Sequence, residues 1–387
     1  MKNKDTIVFA VIYLLTLAFM LRYNLTHPIV NDGVHEYRNY ILNTEMTWVY
    51  RYSLVNSCLV SIWFPAMVHR MTGLDPLILF RSFPPFFYAL TPAFVYLISR
   101  KCFDVRDSIT ATLAVAFSSY IFFFPDIGRV GVALGLLSGL IWALLHKKLL
   151  TSMSFAILIV YTHYGTTIIA IGLVGAILVA RLLWDRSLIK VTVVTLCTLV
   201  LFTGAWHFGI SHYSGDSMTR AMLHPTETVG YVPEGDFLEL ESRDYVTQAA
   251  FGENFANNPI PLKFEIIINW VVVCFITLGL YLVIRNRNVD KVFKSILITL
   301  YGLTIASIVF PPISVFYGTQ RVYFTSCLVL ASCFPVGTKW LSNKIHLSPI
   351  WLTSLVLILY GATTSGLTYK VFGLTKSIPI VLTLTLP

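Results

Sequence analysis

Residues 129–184 read RVGVALGLLSGLIWALLHKKLLTSMSFAILIVYTHYGTTIIAIGLVGAILVARLLW. Three apolar runs follow one another in this stretch, separated only by Lys147-Lys148 and by His163-Tyr164. Each run approaches the roughly 20 residues with which an α-helix crosses about 30 Å of hydrocarbon. Long apolar runs with such short polar breaks predict consecutive membrane-crossing helices.

The same pattern covers most of the chain. Hydrophobic residues make up 56% of the sequence, charged residues only 12%, and the mean hydropathy is +0.73. No alternation of period two indicates membrane strands. We therefore predict an all-α, polytopic helical membrane protein with about 11 transmembrane helices. It would form a single transmembrane domain, 1–367, followed by a short tail, 368–387. The predicted spans lie near 6–23, 77–99, 109–124, 129–146, 149–163, 166–184, 190–206, 265–284, 292–311, 322–337 and 349–367.

Positive charge distinguishes the two sides of these spans. If the ambiguous apolar stretch 54–69 does not cross, every loop on one side carries lysine or arginine, as cytoplasmic loops do. If it crossed, those basic loops would face outward. We therefore expect a plasma-membrane protein with a cytoplasmic amino terminus, and an interfacial or re-entrant helix at 54–69. The predicted inner loops contain Lys2, Lys4, Arg100, Lys101, Arg106, Lys147, Lys148, Arg181, Arg186, Lys190, Arg285, Arg287, Lys291, Lys294, Lys339 and Lys344.

The net charge of +9 does not indicate nucleic-acid binding. The basic residues are spread over short loops between apolar runs, where they orient the protein and contact membrane lipids. Two predicted outer loops, 24–76 and 207–264, are long enough to carry a functional site.

The outer loop 24–76 contains a dense titratable cluster, Asp32-Gly33-Val34-His35-Glu36. In a helix, Asp32, His35 and Glu36 would share one face. A carboxylate here can take a proton from an acceptor hydroxyl, which makes these residues candidate catalytic groups. Two alternatives stay open: Asp32 as a helix N-cap in a solvated loop, and Asp32 with Glu36 as ligands of Mg²⁺ or Mn²⁺. The spacing fits no specific metal motif.

Candidate anion-binding residues occur at three other predicted outer positions. Arg129 begins an apolar run, His163 and Tyr164 follow the fifth predicted span, and Tyr317 and Arg321 precede the tenth. Arginine forks match phosphate and carboxylate geometry. The alternatives are an Asp126–Arg129 pair, a structural histidine, and arginines that reach to lipid headgroups. Taken together, these residues predict an anionic partner that reaches the site from the membrane, such as a polyisoprenyl phosphate.

The order of these features resembles the GT-C superfamily of integral-membrane glycosyltransferases, most closely an uncharacterised, mainly archaeal branch. The resembling segments are Asp32 through Tyr37, the run 90–96 before Arg100, the helix of Arg129, the motif 162–166 and the motif 317–321.

The resemblance implies transfer of a sugar from a polyprenyl- or dolichyl-phosphate-linked donor to an acceptor on the extracytoplasmic side. In this family an acidic residue of the first outer loop activates the acceptor or binds a metal, which corresponds to Asp32. Outer arginines that hold the donor phosphate correspond to Arg129 and Arg321, and interfacial helices correspond to 54–69. Many members carry a large carboxyl-terminal domain that is not found in this sequence, so we expect a small or lipid-bound acceptor, a partner subunit, or a truncated chain.

Other functions stay open. One alternative is a polysaccharide polymerase or ligase that uses lipid-diphosphate glycans. Another is a protein without catalytic activity, either a lipid-sugar flippase or a structural subunit of a membrane assembly. A coupled carrier usually needs an acidic residue at mid-membrane. We expect none, because every acidic residue of the sequence falls in a predicted loop or at a predicted helix end.

Overall fold

The computed structural model describes residues 3–26, 32–45, 58–118, 128–184, 186, 189–211, 219, 255–309, 319–365 and 367–371, and these contain helices and no strand. Short π-helices lie at Leu59–Trp63 and Gly204–Ile210, and 3₁₀ turns lie at Phe255–Asn257 and Ala331–Cys333. The α-helices are α1 Asn3–Thr26, α2 Asp32–Glu45, α3 Phe64–Thr72, α4 Pro76–Tyr88, α5 Leu90–Ser99, α6 Val105–Ala116, α7 Gly128–Leu145, α8 Leu149–Thr162, α9 Tyr164–Trp184, α10 Ile189–Thr203, α11 Ile260–Arg285, α12 Lys291–Val309, α13 Thr319–Leu330, α14 Phe334–Lys344, α15 Pro349–Thr364 and α16 Leu367–Val371.

Eight helical segments of the described chain are long and apolar enough to cross a membrane. The helices α8 and α15 are apolar but shorter. The predicted all-α, polytopic membrane fold is therefore confirmed. The span predicted near 109–124 corresponds to α6, which begins earlier and ends at Ala116, while 119–127 lie outside the described residues.

The end of α1 and the first turns of α4 lie at the same end of the bundle. Asn24 Nδ2 donates to the Arg81 carbonyl oxygen at 3.2 Å, and Arg81 Nη1 donates to the Leu25 carbonyl oxygen at 3.2 Å. We call this the upper end. A single crossing by 54–69 would separate these residues by the thickness of a membrane. The described part of that stretch is a five-residue π-helix followed by the nine-residue α3, too short together to span.

The other end of α1 is fixed by a second set of polar contacts, at what we call the lower end. Asp5 Oδ1 accepts hydrogen bonds from Tyr96 Oη and Arg100 Nε, both at 2.9 Å. Lys339 Nζ lies 2.5 Å from Asp107 Oδ1, which ties α14 to α6. All four charged groups belong to segments predicted to lie on one side. The contacts therefore group the helix ends as the charge pattern predicts.

A buried arginine joins three helices near the lower end. Arg181 is 2% exposed; its Nη1 donates to Thr192 Oγ1 at 2.7 Å and its Nη2 to the Leu144 carbonyl oxygen at 2.8 Å. Leu144 lies in the last turn of α7, where helix carbonyls lack partners within the helix and carry partial negative charge. Arg181 thus stabilises the end of α7 and links it to α9 and α10.

Glycines allow the helices to approach closely where the core is tightest. A methyl group added at Gly135 of α7 would lie 2.1 Å from the Phe87 carbonyl oxygen of α4. One added at Gly279 of α11 would lie 1.9 Å from the Cys333 carbonyl oxygen. Small residues at helix contacts are the usual means of close packing in membranes.

The described part of the first loop packs on the upper end as a separate small cluster. Tyr40 of α2, Cys58, Ile62, Ala66 of α3 and Phe80 of α4 form one buried apolar group. This cluster packs α2 beside α4 and so fixes where the titratable residues at the start of α2 lie.

Candidate functional site

Glu36 of α2 is buried against the beginning of α7. Its side chain is 1% exposed, and its Oε1 lies 3.1 Å from Nε of Arg129, which is 13% exposed. The backbone N–H of Arg129 donates to Glu36 Oε2 at 3.2 Å. The carboxylate is therefore held by a guanidinium and by the first turn of a helix, both of which stabilise negative charge.

The sequence allows this approach because position 128 is a glycine. A Cβ at Gly128 would lie 2.9 Å from Glu36 Oε2. Tyr88 Oη donates to the carbonyl oxygen of Gly128 at 3.2 Å, and this hydrogen bond fixes the first residue of α7. Arg129 thus pairs with Glu36 from a distant loop. Asp126, the alternative partner, lies outside the described residues.

His163 lies at the junction of α8 and α9 and is 2% exposed. The Thr166 backbone N–H donates to His163 Nδ1 at 3.1 Å, so the proton of the neutral ring lies on Nε2. Burial lowers the pKa of His163 well below its ordinary value, and the nearby charges of Arg129, Arg321 and His207 lower it further. His163 is therefore a neutral donor at pH 7.

The charges that act on His163 indicate which predicted residues lie in its neighbourhood. Arg129 and Arg321, far apart in sequence, both lie close enough to His163 to disfavour its protonation. Tyr164 stacks obliquely beside His163, with ring centroids 5.0 Å apart. Arg129, Arg321 and Tyr164 thus lie in the neighbourhood of His163, and these are four of the five residues predicted to hold a phosphate. The fifth, Tyr317, lies outside the described residues.

Asp32 and His35 are placed only in part. The helix α2 begins at Asp32, so its backbone stands one turn before Glu36. The side chains of Asp32 and His35 lie outside the described part of the chain.

Glu36 is engaged on both oxygens, so a divalent cation there would compete with Arg129. Within the described residues, no three histidine, cysteine, aspartate or glutamate side chains form a metal-binding group.

Sequence reasoning missed two buried polar residues. Glu265 was placed at the first residue of a span, but α11 begins at Ile260, so Glu265 lies inside the helix and is 4% exposed. It lies near Tyr360, whose hydroxyl is hydrogen-bonded to Tyr323. His207 is 1% exposed and its Nε2 donates to the Val160 carbonyl oxygen at 3.1 Å. For both residues, the sequence feature that could have revealed them is a single polar residue within an apolar run.

Glu265 lies in the second turn of α11, near its amino end, so the expectation that no acidic residue lies at mid-membrane stays a prediction. The helix begins earlier than predicted because the Pro259 to Leu262 segment, which reads as a loop, forms its cap and first turn, with prolines at positions a helix tolerates.

The arrangement has a definite chemical capacity. Two guanidinium groups and a neutral imidazole lie near one another at the upper end, and Glu36 pairs with the Arg129 guanidinium. Such a group of donors can hold a phosphate.

No family model matches the chain, and no curated protein matches its sequence.

Proposed function

We propose that this membrane protein transfers a sugar from a polyprenyl- or dolichyl-phosphate-linked donor to an acceptor, as the GT-C superfamily does. The observation that carries the proposal is the gathering of Arg129, His163 and Arg321 at one end of a membrane domain. A donor whose phosphate lies at the membrane surface and whose chain lies in the bilayer would reach such a site from the side.

In the proposed reaction, the acceptor hydroxyl attacks the anomeric carbon and its proton passes to the Asp32 carboxylate. The bond between the anomeric carbon and the phosphate oxygen breaks, and the electron pair leaves with the lipid phosphate. Arg321 and Arg129 stabilise the negative charge that grows on this phosphate in the transition state. Glu36 orients Arg129, and His163 donates from Nε2. A Mg²⁺ or Mn²⁺ ion bound at Asp32 is an alternative means of activating the acceptor.

A transfer assay in proteoliposomes tests the reaction. Wild-type protein with a polyprenyl-phosphate hexose should release polyprenyl phosphate and produce an acceptor carrying one sugar. Asp32→Asn should abolish transfer, and Arg321→Gln should lower it about 100-fold, the loss expected when a donor to a transition-state anion is removed.

Arg287→Gln is the matched control, because Arg287 is exposed on the loop after α11, at the opposite end of the bundle from Arg321. Full activity in Asp32→Asn would remove Asp32 from the mechanism. Products in which whole glycan chains are joined would instead favour the polymerase or ligase alternative. Movement of the lipid without bond cleavage would favour a flippase.

We further propose that the upper end faces outward and the amino terminus lies in the cytoplasm, since the basic loops lie at the lower end. Met71 is exposed at the end of α3, and Asn288 is exposed at the lower end. A membrane-impermeant thiol reagent should label Met71→Cys in intact cells and should label Asn288→Cys only after permeabilisation. The reverse pattern would place the site in the cytoplasm.

A further inference from the structure

A cavity of about 180 Å³ lies at the lower end, where the first turns of α6 and α15 meet α14. It is far from the proposed donor site, which lies at the upper end. Its lining combines charged groups, hydroxyls and apolar walls. The lining residues are Arg106, Asp107, Thr110, Leu113, Pro335, Lys339, Pro349, Ile350, Thr353, Ser354 and Leu357.

One cationic side chain of this lining, Arg106, has no ion-pair partner among the described residues. Lys339 Nζ is paired with Asp107 Oδ1 at 2.5 Å, and Asp104, 3.9 Å from Lys339, is largely exposed. Arg106 makes no ion pair or hydrogen bond within the described part of the chain. The cavity therefore carries a positive charge that is suited to an anion.

Two hydroxyls accompany this guanidinium. The side chains of Thr110 and Ser354 line the cavity and make no hydrogen bond to any other described residue. Thr353, by contrast, donates to Thr338 Oγ1 at 2.9 Å. A ligand would therefore find two hydroxyl groups and one guanidinium without a protein partner, on two different helices.

The polarity of the lining changes with depth. Leu113 lies two turns beyond Arg106 on α6, and Leu357 lies slightly more than two turns beyond Pro349 on α15. At 1.5 Å per residue, the apolar walls extend roughly 10 Å from the charged mouth towards the middle of the bundle. Leu113 and Ile350 are exposed, so the cavity opens sideways onto the face that lipid would cover.

We propose that this cavity binds an anionic phospholipid from the leaflet at the lower end, with its phosphodiester at Arg106 and one acyl chain along Leu113 and Leu357. Thr110 and Ser354 would donate to the remaining phosphate and glycerol oxygens. The volume accommodates a phosphate and the first methylenes of a chain, while the rest of the lipid lies in the bilayer. A free phosphate would fill only the polar mouth and leave the apolar walls uncovered.

Native mass spectrometry of the delipidated full-length protein in a neutral detergent tests this proposal. Titration with phosphatidylglycerol should show one molecule bound at least tenfold more tightly than phosphatidylcholine. Arg106→Gln should weaken phosphatidylglycerol binding about tenfold, the effect of losing a charge-assisted contact to a phosphate. Glycerol 3-phosphate should not compete at concentrations equal to that of the lipid.

Two further variants keep the result interpretable. Ser354→Phe fills the cavity without changing charge and should also abolish the tight binding. Arg287→Gln removes an exposed arginine of the same end that does not line the cavity, and should bind as the wild type does. Size-exclusion chromatography and the unfolding temperature verify that each variant is folded.

Three results would overturn the proposal. Tight phosphatidylglycerol binding retained in both Arg106→Gln and Ser354→Phe would show that the lipid binds elsewhere. An equal loss in Arg287→Gln would indicate attraction by overall charge. Competition by glycerol 3-phosphate at equal concentration would identify a site for a soluble phosphate.

Discussion

Replacing Glu36 with glutamine removes the charge that faces Arg129 and keeps nearly the same side-chain shape. The pair is largely buried, so the variant leaves a guanidinium without its counter-charge in a region of low dielectric constant. We expect the free energy of unfolding to fall by about 3 kcal/mol, the usual cost of breaking a buried ion pair. Thermal or denaturant unfolding in detergent measures this change.

The double variant Glu36→Gln, Arg129→Met is the control for that prediction. If the loss comes from an uncompensated charge, removing the arginine as well should recover part of it, since the two sites interact directly. A double variant whose loss equals the sum of the two single losses would show that the pair contributes nothing as a pair.

His163 should make stability depend on pH. Its pKa in the folded protein is lowered because of burial and the charges of Arg129 and Arg321, so the unfolded chain binds a proton more readily. Stability should therefore be complete above pH 6.5 and decrease as the pH falls below it, by up to about 1.4 kcal/mol per pH unit.

His163→Asn isolates this contribution. The amide oxygen of asparagine can accept the Thr166 N–H as Nδ1 does, and the side chain does not titrate. The difference in unfolding free energy between the wild type and the variant should shrink as the pH is lowered from 7 to 5. A difference that stays constant over this range would show that His163 is not held neutral by folding.

At the scale of single residues, the sequence predicted where candidates lie along the membrane but not which ones touch. The charge pattern predicts Glu36, Arg129, His163 and Arg321 at one end, and the ion pair between Glu36 and Arg129 joins two of them. The Glu36–Arg129 pair joins residues 93 positions apart, and such pairing depends on how helices pack. Glu265 was missed because its helix continues through a proline-containing first turn.

At the scale of helices, the packing of α7 against α4 depends on the absence of a side chain at Gly135. A methyl group at Gly135 would lie 2.1 Å from the backbone carbonyl of Phe87, and a carbonyl cannot rotate away as a side chain can. We expect Gly135→Ala to destabilise the protein by about 1–3 kcal/mol through overpacking. The unfolding temperature of the purified protein measures the effect.

Gly172→Ala is the matched control, because Gly172 is also within a helix and no atom lies within 4 Å of the added methyl. That variant should be neutral or should stabilise α9 by about 0.5–1 kcal/mol, since alanine favours the helix. Equal stability of Gly135→Ala and Gly172→Ala would contradict the close contact between α7 and α4.

Element boundaries were harder to predict than element types. The apolar runs predicted helices because hydrocarbon requires every backbone group to be bonded within the segment. The run 77–99 was predicted as one span and forms α4 and α5 in succession, with Pro84 and Pro85 inside α4. Pro92 has no N–H for the carbonyl of Tyr88 four residues earlier, so an interruption near Ala89 follows from local chemistry that a hydropathy pattern does not include.

For the whole molecule, charge was the most informative property of the sequence. The predicted inner loops meet one another in the structure, as Arg100 meets Asp5 and Lys339 meets Asp107. Basic residues orient a membrane protein only if they lie on one side, so the sidedness of the loops and the non-crossing of 54–69 stay predictions from the charge pattern. Charge contains no information on which helices are neighbours.

The central claim is that Arg129, His163 and Arg321 form one site for a lipid phosphate at the upper end. Photo-crosslinking with a polyprenyl phosphate that carries a diazirine on its first isoprene unit tests this claim most directly. In proteoliposomes we expect labelled peptides from the first turns of α7 and α13 and from the α8–α9 junction, with labelling lost in Arg321→Gln and retained in Arg287→Gln. Labelling spread over the lipid-facing helices α1 and α15, and unchanged in Arg321→Gln, would contradict the account.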